Sequence, residues 1–221
     1  SALVEYEGFS LLIDCGPDFR QQMLRENIQD IDAVLLTHQH KDHTGGLDDI
    51  RAFNYFRRGA FPIYAEKRVQ DSLKMEYSYA FAENKYPGVP EYELHTIDVN
   101  PFSICKNGKS VKIIPVRLLH YKLPVLGFRI GDLGYVTDGS SIEENEIAKL
   151  RGVNVFVINT IRRERHISHF SLQEALNVAS KVGAPMTYLT HLSHQIGTHR
   201  ELILSLPPNV RPAYDGLKVN F

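Results

Sequence analysis

The stretch Ala33-Val34-Leu35-Leu36-Thr37-His38-Gln39-His40-Lys41-Asp42-His43-Thr44-Gly45-Gly46 joins a short apolar run to four side chains that can bind metal. The run at 33–37 has the length and composition of a buried strand. His38, His40, Asp42 and His43 follow it, and imidazole nitrogens and carboxylate oxygens suit zinc, manganese or iron. His38 and His40 point to one side of an extended segment, whereas Asp42 and His43 lie beyond a bend. This loop can therefore serve two metal ions.

The rest of the chain alternates β-rich runs with amphipathic helical stretches, and turns carry Gly, Pro, Asp or His. This alternation is typical of a layered α/β fold, and we expect one domain over residues 1–221. The predicted strands are 9–14, 33–37, 111–116, 125–130, 133–137, 153–159, 186–190 and 216–221. The predicted helices begin after Gly46 (with Leu47, Ile50, Phe53 and Phe56 on its apolar face) and span 66–82, 142–150 and 171–182. A Pro- and Gly-rich loop is expected at 84–90.

Four more metal-competent residues follow predicted strands. Asp14 ends the strand at 9–14, His120 comes after the strand at 111–116, Asp138 follows Tyr135-Val136-Thr137, and His191 follows Tyr188-Leu189-Thr190. Taken singly, each has an ordinary structural reading as a turn cap or a hydrogen-bonded histidine.

The H-x-H-x-D-H loop with these later residues resembles the signature of the metallo-β-lactamase superfamily, which implies a four-layer αββα sandwich. The resemblance implies that Asp138 bridges two divalent ions, zinc or manganese, and that a hydroxide between them is the nucleophile. It implies that Asp14 supports a ligand histidine without binding metal itself. The implied ligand sets are His38, His40 and His120 for one ion, and Asp42, His43 and His191 for the other.

Three segments resemble the phosphodiesterase branch of that superfamily, typified by PhnP and also containing the tRNA 3′-end endonuclease; they are 12–22, 190–195 and 213–217. That branch carries one further histidine, which assists the leaving group. His169 is the better match and His166 the second. His194 is a candidate substrate contact. Arg162, Arg163 and Arg165 either bind a second phosphate or form a solvated charge run.

Charge and cysteine content limit the candidate substrates and the candidate cellular compartments. Lys plus Arg is 25 and Asp plus Glu is 26, so the chain has no basic surplus to hold a large nucleic acid. We therefore expect a small or cyclic phosphodiester as substrate. Cys15 and Cys105 are too few for a disulfide framework and are expected in the core, which favours the cytoplasm. No run is long enough for a membrane span, and a homodimer is left open.

Several alternatives remain at this point. A thioesterase or lactonase of the same fold, a tRNA 3′-end endonuclease and a non-catalytic metal-binding regulator would all use related sequences. The chain also departs from its relatives, since it lacks their glycine-rich opening strand and the cysteine pair found in the phosphonate-linked branch. We expect from this that a natural N-terminal strand is missing.

Overall fold

The computed structural model describes residues 1–221, which fold into two compact units. The first unit comprises Ser1–Asp98 and Lys106–Val111. The second comprises Val99–Cys105 and Lys112–Phe221. The single domain expected over 1–221 stays a prediction.

The first unit is built on a five-stranded sheet in the order β1-β2-β3-β4-β5, in which β1 and β2 are antiparallel and the others parallel. Every residue of β3 is buried, as expected for the middle strand of a parallel sheet. The strands are β1 (Ala2–Tyr6), β2 (Phe9–Ile13), β3 (Ala33–Leu35), β4 (Phe61–Ala65) and β5 (Tyr92–Thr96). The helices are α1 (Phe19–Arg25), α2 (Lys41–Thr44), α3 (Arg51–Arg57), α4 (Lys67–Glu76) and α5 (Ser78–Phe81).

The second unit is built on a mixed sheet in the order β10-β7-β8-β9-β11-β12-β13, with β6 paired to β7. Its antiparallel part runs from β10 through β9 and its parallel part from β9 to β13. The strands are β6 (Phe102–Lys106), β7 (Lys109–His120), β8 (Leu123–Ile130), β9 (Leu133–Tyr135), β10 (Ser141–Ile142), β11 (Val155–Asn159), β12 (Met186–Thr190) and β13 (Val210–Pro212). The helices are α6 (Glu144–Leu150), α7 (Leu172–Val182) and α8 (His199–Ser205).

Helix α7 shows how local sequence sets an element and its packing. The Ser171 hydroxyl accepts a hydrogen bond from the Glu174 amide, and the Glu174 carboxylate accepts one from the Ser171 amide, so the Ser-x-x-Glu spacing forms a capping box. The helix ends at Gly183, in the left-handed region at φ 72°. Its buried face, which packs into the core of the second unit, carries Leu172, Ala175, Val178, Ala179 and Val182.

Several predicted elements differ from the structure. The helix after Gly46 begins as a 3-10 turn at Leu47–Ile50, which has fewer residues per turn, and Phe56 ends up 75% exposed instead of on the apolar face. The helix predicted at 66–82 is divided at Tyr77, whose backbone leaves the helical region. The strand predicted at 216–221 is absent, and β13 is the last strand. The loop expected at 84–90 is irregular as predicted.

Two further sequence expectations have clear outcomes. Cys15 is buried as expected, but Cys105 is exposed, so its assignment to the core was wrong. No helix of the protein combines the length and the apolar character needed to cross a bilayer.

Candidate metal centre

Three of the candidate residues lie at or just beyond strand ends, where the backbone adopts the left-handed conformation. Asp14 follows β2 with φ 59°, Asp138 comes shortly after β9 with φ 57°, and His191 follows β12 with φ 57°. Residues other than glycine enter this region rarely, and the associated strain is concentrated at functional sites. The sharp turn brings each side chain to the end of its sheet.

The histidines of the loop at 38–43, called the metal loop below, pack against one another in the first unit. His38 is fully buried and His43 is 6% exposed. The His38 ring centroid lies 4.2 Å from that of His43 and 4.6 Å from that of His40. Asp42 is exposed in α2, and its Oδ2 lies 3.3 Å from His43 Nε2. The structure therefore brings these four residues into one cluster of possible ligands.

Asp14 orients the His43 ring of this cluster. Its carboxylate is buried and accepts hydrogen bonds from the Thr37 amide and the Thr37 hydroxyl, each at 2.8 Å. Its Oδ2 also lies 2.6 Å from His43 Nδ1. An imidazole held by a carboxylate at one nitrogen presents the other nitrogen to a metal. Sequence reasoning did not single out Thr37, although it stands directly before the first histidine.

The two loops that carry these residues approach each other very closely. A Cβ atom added to Gly46 would lie 2.2 Å from the Gly16 carbonyl oxygen and 2.6 Å from Phe19 Cβ. The Gly46 amide donates to the Cys15 carbonyl, and the Cys15 amide donates to the His43 carbonyl. Gly46 is needed for this close approach and not for a special turn, since its φ is −93°.

The residue between the first two histidines is also held in place. Gln39 Oε1 accepts a hydrogen bond of 2.6 Å from Arg68 Nη1, and Arg68 Nη2 lies 3.1 Å from Glu66 Oε2. Arg68 and Glu66 lie at the start of α4, far from Gln39 in sequence. No motif in the sequence indicated this contact.

The second unit contains a group of possible ligands, namely His120, Asp138 and His169. One ligand atom from each lies within 4.8 Å of the others. His120 Nδ1 lies 2.7 Å from the Ser168 carbonyl oxygen, which directs its other ring nitrogen elsewhere. Asp138 is 2% exposed, and its Oδ2 accepts a hydrogen bond from the Thr137 hydroxyl.

His191 and His169 face the same oxygen of Asp138. His191 Nε2 lies 3.4 Å and His169 Nδ1 lies 3.7 Å from Asp138 Oδ1. The two rings are stacked with centroids 4.9 Å apart. His169 Nδ1 is buried and makes no hydrogen bond. A buried nitrogen without a partner, beside a carboxylate, is a position where a bound ion or substrate is expected.

Burial controls the protonation of these rings. It lowers the pKa of His169 to about 4, although the Asp138 carboxylate opposes the shift. Burial, the Arg162 guanidinium and the His120 ring lower the pKa of His166. Neutral imidazole is the form that binds metal, so these surroundings fit a site for divalent ions.

Not every predicted residue joins these groups. The His166 ring lies 5.2 Å from that of His169, and its Nδ1 faces Ser168. His194 is exposed at the start of a 3-10 turn. Arg162 donates to Gln195 and to the Arg165 carbonyl, and Arg163 donates to Ile196 and Ser205. Two of the three arginines are therefore occupied in holding the chain together.

Known proteins with similar sequences or structures include hydrolases. A crystal structure of a diphosphatase from the PhnP family is 37% identical with a TM-score of 0.87, over 99% of this chain and 83% of that one. A ribonuclease Z from Methanopyrus kandleri is 26% identical over 98% of this chain and 89% of its own length. An octanoyltransferase from Porphyromonas gingivalis is 40% identical over 96% of this chain, but the match spans only 42% of that protein.

The mixed sheets and the histidine–aspartate groups define an α/β fold with possible metal-binding residues. Residues 10–192 match the model of the beta-lactamase superfamily domain, and the chain belongs to this superfamily of metallo-β-lactamase proteins. The predicted α/β metallo-β-lactamase fold and the resemblance to PhnP are confirmed. The fold implies bound divalent ions.

Replacing Asp14 with Asn should weaken metal binding while keeping the fold of the loop. Asn tolerates the left-handed backbone at this position, but the neutral amide no longer polarises His43. We expect a loss of roughly 10- to 100-fold in metal affinity, measured by competition with a chromophoric chelator.

The matched control is Asp32→Asn in the same unit. Asp32 is also buried, and its carboxylate binds the Ser10 amide and Lys106. This change should lower the free energy of unfolding and leave metal affinity unaltered. Wild-type metal affinity in Asp14→Asn would show that Asp14 does not support the site.

Proposed function

We propose that the protein is a dinuclear metal-dependent phosphodiesterase acting on small or cyclic phosphodiesters. One observation carries this proposal: His169 is a buried imidazole 3.7 Å from Asp138, additional to the seven residues that match the ligand pattern. A phosphodiester expels an alkoxide, which leaves faster when a proton is delivered to it. The similarity to a PhnP-family diphosphatase over 99% of the chain supports the same class of phosphorus chemistry.

Zinc or manganese would occupy the site, since nitrogen and carboxylate ligands suit both. The buried imidazoles of His38 and His43 and the buried carboxylate of Asp138 fit such a group. When bound, divalent ions activate water and polarise a phosphoryl oxygen. We assign His38, His40 and His120 to one ion, Asp42, His43 and His191 to the other, and Asp138 to both, as the resemblance implies.

The chain's own residues then have distinct tasks. Asp14 orients His43 through the bond to Nδ1. His169 is neutral near pH 7 because burial lowers its pKa to about 4. An anionic phosphodiester next to the ring would raise that pKa, whereas nearby divalent ions would lower it. His169 would pass a ring proton to the departing oxygen.

A diphosphatase is the second candidate, because the PhnP-family neighbour at 37% identity is described as one. A phosphoanhydride expels a phosphate, which is a better leaving group than an alkoxide and needs less help from an acid. Dependence on His169 therefore separates the two reactions.

The remaining alternatives have specific sources among the relatives. The octanoyltransferase favours an acyl ester or thioester substrate, but the match spans 42% of that protein, so its acyl transfer need not belong to the matched part. The ribonuclease Z favours tRNA, yet this chain carries 25 basic against 26 acidic residues. Binding a polynucleotide requires many phosphate-neutralising cations. A regulator that only binds metal would retain the ions and turn over none of these substrates.

A substrate panel tests the proposed reaction directly. Metal-loaded protein should hydrolyse bis(p-nitrophenyl) phosphate, while octanoyl thioester and aryl ester remain intact and precursor tRNA is processed poorly at physiological salt. The Asp42→Ala variant is the control and should be inactive, since it lacks a proposed ligand. Thioester turnover without diester turnover would show that the protein is a thioesterase. Efficient tRNA processing would show that it is an endonuclease.

The role of His169 is tested by varying the leaving group. His169→Ala should slow cleavage of a diester with an alkyl alkoxide leaving group by roughly a hundredfold or more, because that oxygen needs a proton. The loss should be much smaller for p-nitrophenolate, which leaves without one. Metal content, measured alongside, should stay unchanged.

His166→Ala is the matched control, since this ring lies 5.2 Å from that of His169 and accepts a hydrogen bond from the Ser168 amide. Equal losses on both substrates in His169→Ala, together with loss of metal, would make His169 a ligand. If neither rate changes, the donor is another group.

A further inference from the structure

A cleft of about 500 Å³ in the second unit is lined by residues close in sequence to His120, Asp138 and His169. Tyr121 directly follows His120, Ser140 comes two residues after Asp138, and Ile167 comes two residues before His169. The His166 ring also lines the cleft. Ser141, Arg165 and Glu174 also line the cleft. The cleft is thus placed to receive the part of a substrate that flanks the reacting bond.

Tyr121 is held at this cleft by its backbone. Its φ is 56°, and a bulky residue in the left-handed region is an outlier. Its amide donates a hydrogen bond of 3.0 Å to Ser140 Oγ, which in turn donates to the Leu119 carbonyl. The side chain remains 50% exposed, so burial does not explain its position. Strain maintained by neighbouring hydrogen bonds is characteristic of ligand sites.

Arg165 supplies the positive charge of the cleft. It is exposed, and its guanidinium forms no hydrogen bond or ion pair within the protein, whereas the guanidinium groups of Arg162 and Arg163 donate hydrogen bonds to other residues of the chain. Glu174 accepts hydrogen bonds from the Ser171 amide and hydroxyl at the start of α7. Arg165 is therefore the member of the arginine run that is available to an anionic ligand.

The lining residues favour one of two classes of ligand over the other. An octanoyl chain requires apolar walls, and Ile167 is the single aliphatic residue of the cleft. An aromatic ring, a guanidinium and the Ser141 hydroxyl instead match a base, a phosphate and a sugar. A volume of about 500 Å³ is within the range of small-molecule sites.

We propose that this cleft is a subsite for a nucleoside that carries a second, non-reacting phosphate, with Tyr121 stacking on the base and Arg165 binding the phosphate. The proposal rests on the proposed phosphodiesterase function and names the flanking group of its substrate. It assigns specificity to two residues outside the ligand set.

Three esters with one leaving group isolate the two contacts. They are methyl p-nitrophenyl phosphate, thymidine 5′-(p-nitrophenyl phosphate) and the 3′-phosphorylated form of the latter. For the wild-type protein, kcat/KM should rise about tenfold when the nucleoside is added and about tenfold again when the 3′-phosphate is added. Tyr121→Ala should reduce the first ratio to about one, and Arg165→Ala should reduce the second ratio to about one.

Matched controls use residues outside the cleft. Lys112→Ala removes an exposed cation on β7, and Tyr86→Ala removes a tyrosine that is 80% exposed in the first unit. Both should preserve the two ratios. A second readout is independent of turnover: thymidine 3′,5′-bisphosphate titrated calorimetrically into metal-free protein should bind about tenfold more weakly to Arg165→Ala than to wild type.

The outcomes distinguish the subsite from the reaction. Equal hydrolysis of all three esters by the wild type would overturn the subsite and leave the phosphodiesterase standing. A fall in the second ratio in Lys112→Ala as large as in Arg165→Ala would also overturn it. If none of the esters is cleaved but the bisphosphate binds in an Arg165-dependent manner, the proposed reaction fails and the subsite holds.

Discussion

A backbone constraint at the ends of the strands determines where the chemistry of this protein lies. Asp14, Asp138 and His191 each adopt φ near 57–59° at or just beyond the end of a strand. In that conformation the chain turns away from the sheet at once. The side chain stays at the sheet end, close to the preceding apolar strand and partly shielded from water. Both units use this device, and the candidate ligands of each unit collect there.

Burial then sets the chemical state of the collected groups. Histidines and carboxylates in water would be charged or hydrated, whereas His38, His43 and Asp138 are almost completely covered. Desolvation keeps a nearby imidazole neutral, as the lowered pKa of His169 shows. Hydrogen bonds from Thr37 to Asp14 and from Thr137 to Asp138 compensate for burying the negative charges. Divalent ions are the natural complement of such a collection.

The sequence was sufficient for the features that depend on local spacing. The metal loop after β3, the capping box of α7 and the candidate ligands at strand ends were all visible in short motifs. Features that depend on distant neighbours were not. The contact of Arg68 with Gln39 joins separate elements, and the need for glycine at position 46 arises from Gly16 and Phe19. Period counting also cannot detect the 3-10 turn at Leu47–Ile50, which rotates Phe56 into solvent.

The metal centre is tested most directly by measuring how many transition-metal ions the protein holds. Purified protein is stripped with a chelator, reconstituted separately with zinc and with manganese, freed of unbound metal and analysed by inductively coupled plasma mass spectrometry. Two ions per chain are expected, because the seven proposed ligands suffice for two ions that share one carboxylate. Folded protein that retains no ion with either metal would contradict the metal centre, and a stable value of one would contradict its dinuclear form.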